Sequence, residues 1–587
     1  MSLVNLLNIS KLGIFASQGT LQTISHNITN ANTPGYSRQS VQLESAPGGQ
    51  SFAGGAGVRI ADVRSQMDQL VDRRMELGTG ELGRLEIRDK YLNLVENVFN
   101  ELDGDGLSKR MDALYDASDT LADNPGNAVA RHQVVAKADD VAKQMNKMHG
   151  DLSELALPLD KEVGVILADV NTRLKALQQI NNVIVRNENT NPAIDLKDQR
   201  RNMILELGKI IDIRTLDREN GDIQIMTSRG QELLADAAFS ATLSRSASVT
   251  ETGFQGIKIG DQELGAEKIQ GGQLGGLLEL RDQIIYGKDG YLTRMETLAD
   301  EIRFQFNKVN SQSVGKKLVS SITGAMKLGS DLNTKIADLV TDTTSPDYKK
   351  SPVDLSRVTD GKIFFAVGDR EESLTPTQGV EITKEMSLVQ VQQAIDALDG
   401  VKAEITSENQ LKISNEKTGA KLAVISDQTG LLAALGVGAL FGGKGMADMG
   451  VNPTLVQDPD LVGVGRLIVD SLTAPTTVAF DNANSQGALA LGNLRTTKFD
   501  LFDNTSTFTG HYAALVGELG STVNQNTESL KAQESAQTFI AGVRESISGV
   551  SLEEELTDLI RFQRAFQSSS KMVGVADELM QTIIQMV

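Results

Sequence analysis

The 587-residue chain has no cysteine and no tryptophan. Without cysteine there can be neither disulfides nor thiolate metal centres, so metal binding would need histidine or carboxylate clusters. The four histidines, His26, His132, His149 and His511, show no metal-ligand spacing. Positive charge is also short: 57 Lys and Arg stand against 77 Asp and Glu, a net charge of -20. Nucleic acid and anionic membrane surfaces draw their affinity from clustered Lys and Arg, so neither is expected and protein partners are favoured. Long apolar runs are missing as well. The longest uncharged stretch, Gly430 to Gly443, is glycine-rich and falls short of the ~18 apolar residues a membrane span needs. The first residues lack a basic stretch and are broken by Asn5, Asn8 and Lys11, so a cleavable secretory signal is not expected.

Catalytic motifs fail one by one. The "GALFGGKG" at Gly438 to Gly445 has phosphate-loop spacing up to Lys444, but Gly445 stands where the magnesium-binding serine or threonine belongs. The "DGDG" at Asp103 to Gly106 lacks the third acidic position and closing glutamate of a calcium loop. Glu553 and Glu554 suit the favourable field at a helix start. No catalytic, cofactor or metal residues are assigned, and no enzyme is expected.

What the chain does have is periodicity. Leu7, Ile14, Leu21 and Ile28 recur every seven residues, with Leu3, Ser10, Ser17 and Ile24 between them, an a/d seam seeking another helix. Leu552, Leu559, Phe566, Val573, Met580 and Val587 answer at the other end, widened by Ala565, Met572, Leu579 and Met586. Ser551 and Glu554 suggest a capping box, and the carboxylates of "SLEEELTD" face the charges of Lys11 and Arg38. The two termini are expected to pair. The first helix should stop at "NITNANTPGY": Asn30 and Asn32 tolerate the left-handed conformation, and Pro34 cannot continue a helix. Thr33-Pro34-Gly35-Tyr36 then predicts a type II turn with positive φ at Gly35 and Tyr36 as anchor.

Between the ends, helical stripes run through Val134, Ala138, Val141, Met145, Met148 and Leu152, with a register shift near Pro158. Others run through Tyr291, Met295, Leu298, Ile302 and Val309, and through Tyr512, Val516, Leu519, Val523 and Leu530. Asn220-Gly221 predicts a hairpin ahead of Ile223, Ile225 and Thr227. Strands are predicted at "KIFFAVG", "GVEIT", "VKAEIT", "QLKIS" and "KLAVIS". They surround a helix capped by Ser387 and Gln390, buried through Leu388, Val391, Ile395 and Leu398, and ended by Gly400. The expected class is α+β multidomain: an elongated helical bundle, coiled-coil-like terminal helices brought together, and two inserted β-rich domains. The expected boundaries are 1–60 with 546–587, 61–210 with 271–340 and 478–545, 211–270, and 341–477.

"SQGTLQTISHNITNANTPGYSRQ" and "SGVSLEEELTDLIRFQRAFQSSSKMVGVADELMQTI" together resemble the paired terminal signatures of flagellar axial proteins, the rod, hook and hook-associated proteins. Interior stretches such as "DLKDQRRNMILELGKIIDI" and "GGQLGGLLELRD" narrow the resemblance to the hook-associated members. The resemblance implies an extracellular structural protein of the bacterial flagellum, exported unfolded without a cleaved signal, that joins hook to filament. Its implied partners are itself in a helical assembly, the hook protein, the second junction protein, and an export chaperone on the last helix at Phe562, Phe566, Met572 and Leu579. The terminal seams and the turn at Asn30, Asn32, Pro34, Gly35 and Tyr36 would serve assembly. Another axial component, hook or distal rod, is the alternative.

Overall fold

The computed structural model describes residues 3–46, 57–100, 106–188, 193–218, 220–234, 239–250, 252–264, 268–329, 332–339, 353–502 and 504–586. Asp103 and Asp105 of the "DGDG" motif and Val587 of the last heptad lie outside them. Among the described residues the helices are α1 (Leu3–Asn30), α2 (Gln69–Val98), α3 (Leu107–Asp123), α4 (Ala128–Glu154), α5 (Ala156–Asn187), α6 (Ile194–Ile210) and α7 (Gly272–Glu279). They continue as α8 (Tyr291–Ser311), α9 (Leu388–Asp396), α10 (Leu431–Ala434), α11 (Pro453–Gln457), α12 (Gln486–Asn493), α13 (Phe508–Ser548) and α14 (Leu552–Met586). The chain forms two compact units, which the four segments expected from sequence do not match one to one.

The first unit comprises Met1–Tyr91, Leu159–Asp282 and Asn524–Val587. Here α1 packs along α14, and the centre of their contact differs from the expected leucine and isoleucine stripe. Leu7, Ile14, Leu21 and Ile28 are only half-buried, whereas Ser10, Ala16, Ser17, Thr20, Ile24 and Asn27 are buried. Small polar residues can sit there because their hydroxyls are satisfied by their own helix: Ser10 Oγ donates to Leu6 O at 2.8 Å and Thr20 Oγ1 to Ala16 O at 2.9 Å. The helices therefore approach closely, and a Cβ on Gly13 would stand 2.8 Å from Ser569 Oγ. On α14 the half-buried Leu559, Phe562, Phe566, Val573 and Met580, with buried Glu555 and Ala576, form one stripe. Leu552, Met572 and Leu579, expected on the same seam, are exposed.

Strands Gln39–Ser45 and Val58–Ser65 pair antiparallel beside α1. The predicted hairpin at Asn220-Gly221 joins strands Ile213–Asp217 and Ile223–Thr227, with Gly221 at φ +79°. Ile223, Ile225 and Thr227 point inward.

The second unit comprises Leu92–Pro158 and Gln283–Val523. The α4 stripe from Val134 to Leu152 is buried throughout, and the helix breaks at Leu155, close to the shift expected at Pro158. Asn127 caps α4 by accepting from Val129 N at 2.8 Å. The sheet strand Gly361–Gly368 is buried on both faces. Ile363 and Phe365 enter a core with Ile382, Val391 and Ile413, while Phe364 and Ala366 enter another with Val314 and Leu467. Ser387 and Gln390 close the expected capping box on α9. The β region also begins earlier than the expected 341, because Ser321–Thr323 pairs with Leu411–Asn415. In the "GALFGGKG" stretch, Asp448 Oδ1 takes the amides of Lys444 at 2.7 Å and Gly445 at 3.0 Å, so a carboxylate already occupies these donors.

Candidate assembly site at the terminal elbow

Helix α1 ends at Asn30, whose carbonyl accepts from Thr33 N at 2.9 Å. Tyr36 N donates to Thr33 O at 3.1 Å, and Gly35 lies at φ +76°, the hydrogen bond and left-handed residue of a type II turn. Asn32 and Pro34 are exposed within it. The turn delivers Tyr36, Ser37 and Arg38 into a polar network built from both ends of the chain.

Asn27 is its centre and is 1 % exposed. Its Oδ1 accepts from Gln39 N at 3.0 Å and from Tyr36 Oη at 2.8 Å. Its Nδ2 donates to Gln39 O at 2.9 Å and to Glu555 Oε2 at 3.1 Å. Both donors and both acceptor positions of the amide are thus used, which is what permits burial. The Tyr36 hydroxyl also meets His26 Nδ1 at 3.0 Å. Burial, then the carboxylates of Asp195, Asp198 and Glu555, push the Tyr36 phenol well above its ordinary range, so it remains a proton donor. His26 Nε2 lies 3.5 Å from Asp195 Oδ2.

Arg38 forks across the start of α14. Its Nε donates to Glu555 Oε1 at 2.6 Å and its Nη1 to Glu554 Oε2 at 2.8 Å, and Asp558 Oδ2 is 3.9 Å away. The charge pairing expected for Arg38 is present, and Glu554 of the suggested capping box faces it. Lys11 instead stands 5.7 Å from the Phe15 ring.

The opposite side of the elbow is held by residues that local sequence patterns do not mark. Asp195, Asp198, Arg201 and Asn202 share one face of α6. Asp198 accepts Ser37 N at 2.9 Å and Ser37 Oγ at 3.1 Å. Burial raises the Asp198 carboxyl pKa, against the opposing pull of Arg201 and the Ser37 hydrogen bonds. Arg201 donates to Asp198 Oδ1 at 3.0 Å and stands 3.3 Å from Asp72 of α2, which is also 3.3 Å from Arg544 of α13. Arg544 Nη2 donates to Gly35 O at 3.1 Å, and Asn202 Nδ2 to Pro34 O at 3.3 Å. Four helices therefore grip one turn. Among the described residues no group of three or more histidine and carboxylate side chains could hold a metal ion, and no helix is long and apolar enough to cross a membrane.

Comparison with known proteins places this architecture. The family described as flagellar hook-associated protein FlgK helical domain matches residues 92–325, and the flagellar basal body rod FlgEFG protein C-terminal family matches residues 544–586. Flagellar hook-associated protein 1 of Salmonella typhimurium is 23 % identical, over 99 % of this chain and 99 % of that protein. The Bacillus subtilis protein of the same name is 25 % identical over 98 % and 97 %. The solved structure of the flagellar hook junction protein FlgK from Burkholderia pseudomallei shares the fold, with a TM-score of 0.51 at 14 % identity, covering 81 % of this chain and all of that one. Along nearly its whole length the chain is thus similar to flagellar hook-associated protein 1, with the two family matches falling at residues 92–325 and 544–586.

Proposed function

We propose that the chain is a structural adaptor that joins the hook to the filament of a bacterial flagellum by self-assembly through its terminal helices. The observation that carries the assembly mechanism is the double face of α14. One apolar stripe, Leu559 to Met580, is half-buried in the chain, with Val573 lining a shallow apolar pocket with Leu7, Ile14 and Phe15 of α1. Beside it a shorter stripe, Leu552, Leu556 and Ile560, is exposed, and Met572, Val575, Leu579 and Ile583 are exposed on another side of the helix. A helix with exposed apolar residues beside a half-buried stripe has use for more than one partner, and neighbouring copies supply the others. The elbow fixes where α14 starts and so aims the exposed stripe.

Within this reading, the hook protein and the second junction protein contact the two ends of the assembly, and the export chaperone meets α14. Met572 and Leu579 are open to such a chaperone, while Phe562 and Phe566 become fully open only when α14 leaves α1. The similarity to flagellar structural proteins supports a non-enzymatic role. A hook or distal rod subunit is less well supported, because the interior domain at 92–325 is of the hook-associated kind.

Leu556→Asp combined with Ile560→Asp tests the stripe. The full-length variant should keep its helical circular dichroism and lose self-association in sedimentation; assembly at the wild-type concentration would reject the stripe as the interface.

A further inference from the structure

The first unit holds a cleft of about 600 Å³, walled by strand Val58–Ser65, α2, α6 and strand Ile213–Asp217. Several of its cations are already committed: Lys197 to Glu188 Oε1 at 2.6 Å, Arg201 to Asp198 at 3.0 Å, and Arg64 to Asp62 at 2.9 Å. Three oxygens of the cleft are not: Glu76 Oε1, Glu188 Oε2 and Ser65 Oγ are buried without a hydrogen-bond partner among the described residues. Glu76 Oε2 receives Thr215 Oγ1 at 3.0 Å, which leaves the other oxygen bare. Burial raises the Glu76 carboxyl pKa more than Thr215 and Arg73 lower it, so the site disfavours the negative charge it carries. An ionised carboxylate only accepts, and the missing complement is a charged donor, a guanidinium or an ammonium.

The cleft walls add a backbone argument. Among the described residues, strand Val58–Ser65 pairs on one side only, and Ile213–Asp217 is the outer strand of its sheet of three. Two free strand edges beside one cleft suit an extended segment better than a helix. Asp72, Asp198 and Arg201 belong both to the cleft wall and to the elbow that sets the start of α14. Through these residues the cleft is continuous with the elbow at the start of α14, the helix argued above to carry the self-assembly interface.

We propose that this cleft receives an extended segment of a second copy of the chain, which places an arginine or lysine side chain against Glu76. The inference rests on the self-assembly argued above. Removing the charge with Glu76→Gln should leave the monomer's melting temperature unchanged or higher and raise the concentration needed for self-association by about tenfold. Glu76→Lys, which brings its own ammonium to the socket, should abolish association while the monomer stays folded. In the wild-type chain, amide hydrogen exchange at residues 62–65 and 213–217 should slow on assembly. Both variants assembling like wild type, or exchange at these strands unchanged, would overturn the cleft proposal alone. A wild-type chain that stays monomeric at every concentration while still restoring filaments would overturn the self-assembly reading and this one with it. Variants that self-associate normally but fail to join hook protein would assign the cleft to that partner and reject the second copy.

Discussion

Asn27 Nδ2 donates to Glu555 Oε2 at 3.1 Å, a hydrogen bond that spans 528 positions of sequence and ties the end of the first helix to the start of the last. Because the same amide serves Tyr36 and both backbone groups of Gln39, Asn27→Ala leaves several buried polar groups without partners. The expected cost is about 2–4 kcal/mol, read as a lowered denaturation midpoint of the first unit. Asn27→Asp should cost at least as much, since it sets a carboxylate against Glu555. A midpoint within error of wild type for Asn27→Ala would remove Asn27 from the centre of the elbow.

Gly35 carries two separable penalties. Any side chain there meets the positive φ, worth about 1–2 kcal/mol for a residue with a Cβ. A Cβ would also stand 2.2 Å from the Asn202 amide. Gly35→Ala should therefore be partly rescued by Asn202→Ala, down to the backbone penalty, in a denaturant double-mutant cycle. Gly35→Val should be worse than Gly35→Ala and should block assembly; full rescue by Asn202→Ala would mean the turn needs no left-handed residue.

Arg38 faces three carboxylates with a planar fork, and a lysine presents one point charge. Arg38→Lys should restore only part of what Arg38→Ala loses, because Glu555 is 1 % exposed and needs a donor held in place. The check is the melting temperature of the three proteins side by side, with lysine expected between the others.

The elbow shows what is readable from sequence and what is not. The stop at Asn30, the turn at Gly35, the capping box of α9 and the hairpin at Asn220-Gly221 are set by residues adjacent in the chain, so local chemistry reveals them. The Ser37 contact with Asp198 and the Asp72 bridge between Arg201 and Arg544 join distant segments, and nothing near any of these residues signals the partner. Heptad spacing finds the α1 seam but mistakes its centre, because it ranks leucine above serine, whereas a close crossing at Gly13 favours the smaller side chain. It likewise sets Leu552, Met572 and Leu579 on the seam of α14, where they are exposed, because spacing alone does not say how many partners a helix has. The strand at Ser321–Thr323 is too short to show a period.

In the second unit, Asp300 gives a pH signature. Burial lifts its carboxyl pKa to about 6, opposed by Arg303 and Arg357 and reinforced by Asp354 and Glu296. With the folded value above the unfolded value of 3.8, the folded state binds the proton more tightly. This contribution is largest below the unfolded value and is lost as pH rises through about 6, some 3 kcal/mol at most. Asp300→Asn should flatten the stability profile between about pH 4 and 6, measured by urea unfolding of the full chain; an unchanged slope would exclude Asp300 as its source.

The most direct test of the adaptor role is electron microscopy of source cells lacking this chain, paired with a gel of the protein they release. Hooks without filaments, with filament subunits free in the medium and filaments restored by the wild-type chain, are the predicted result. Intact filaments on the deleted cells would contradict the adaptor role, and cells without hooks would move the protein to the rod or hook.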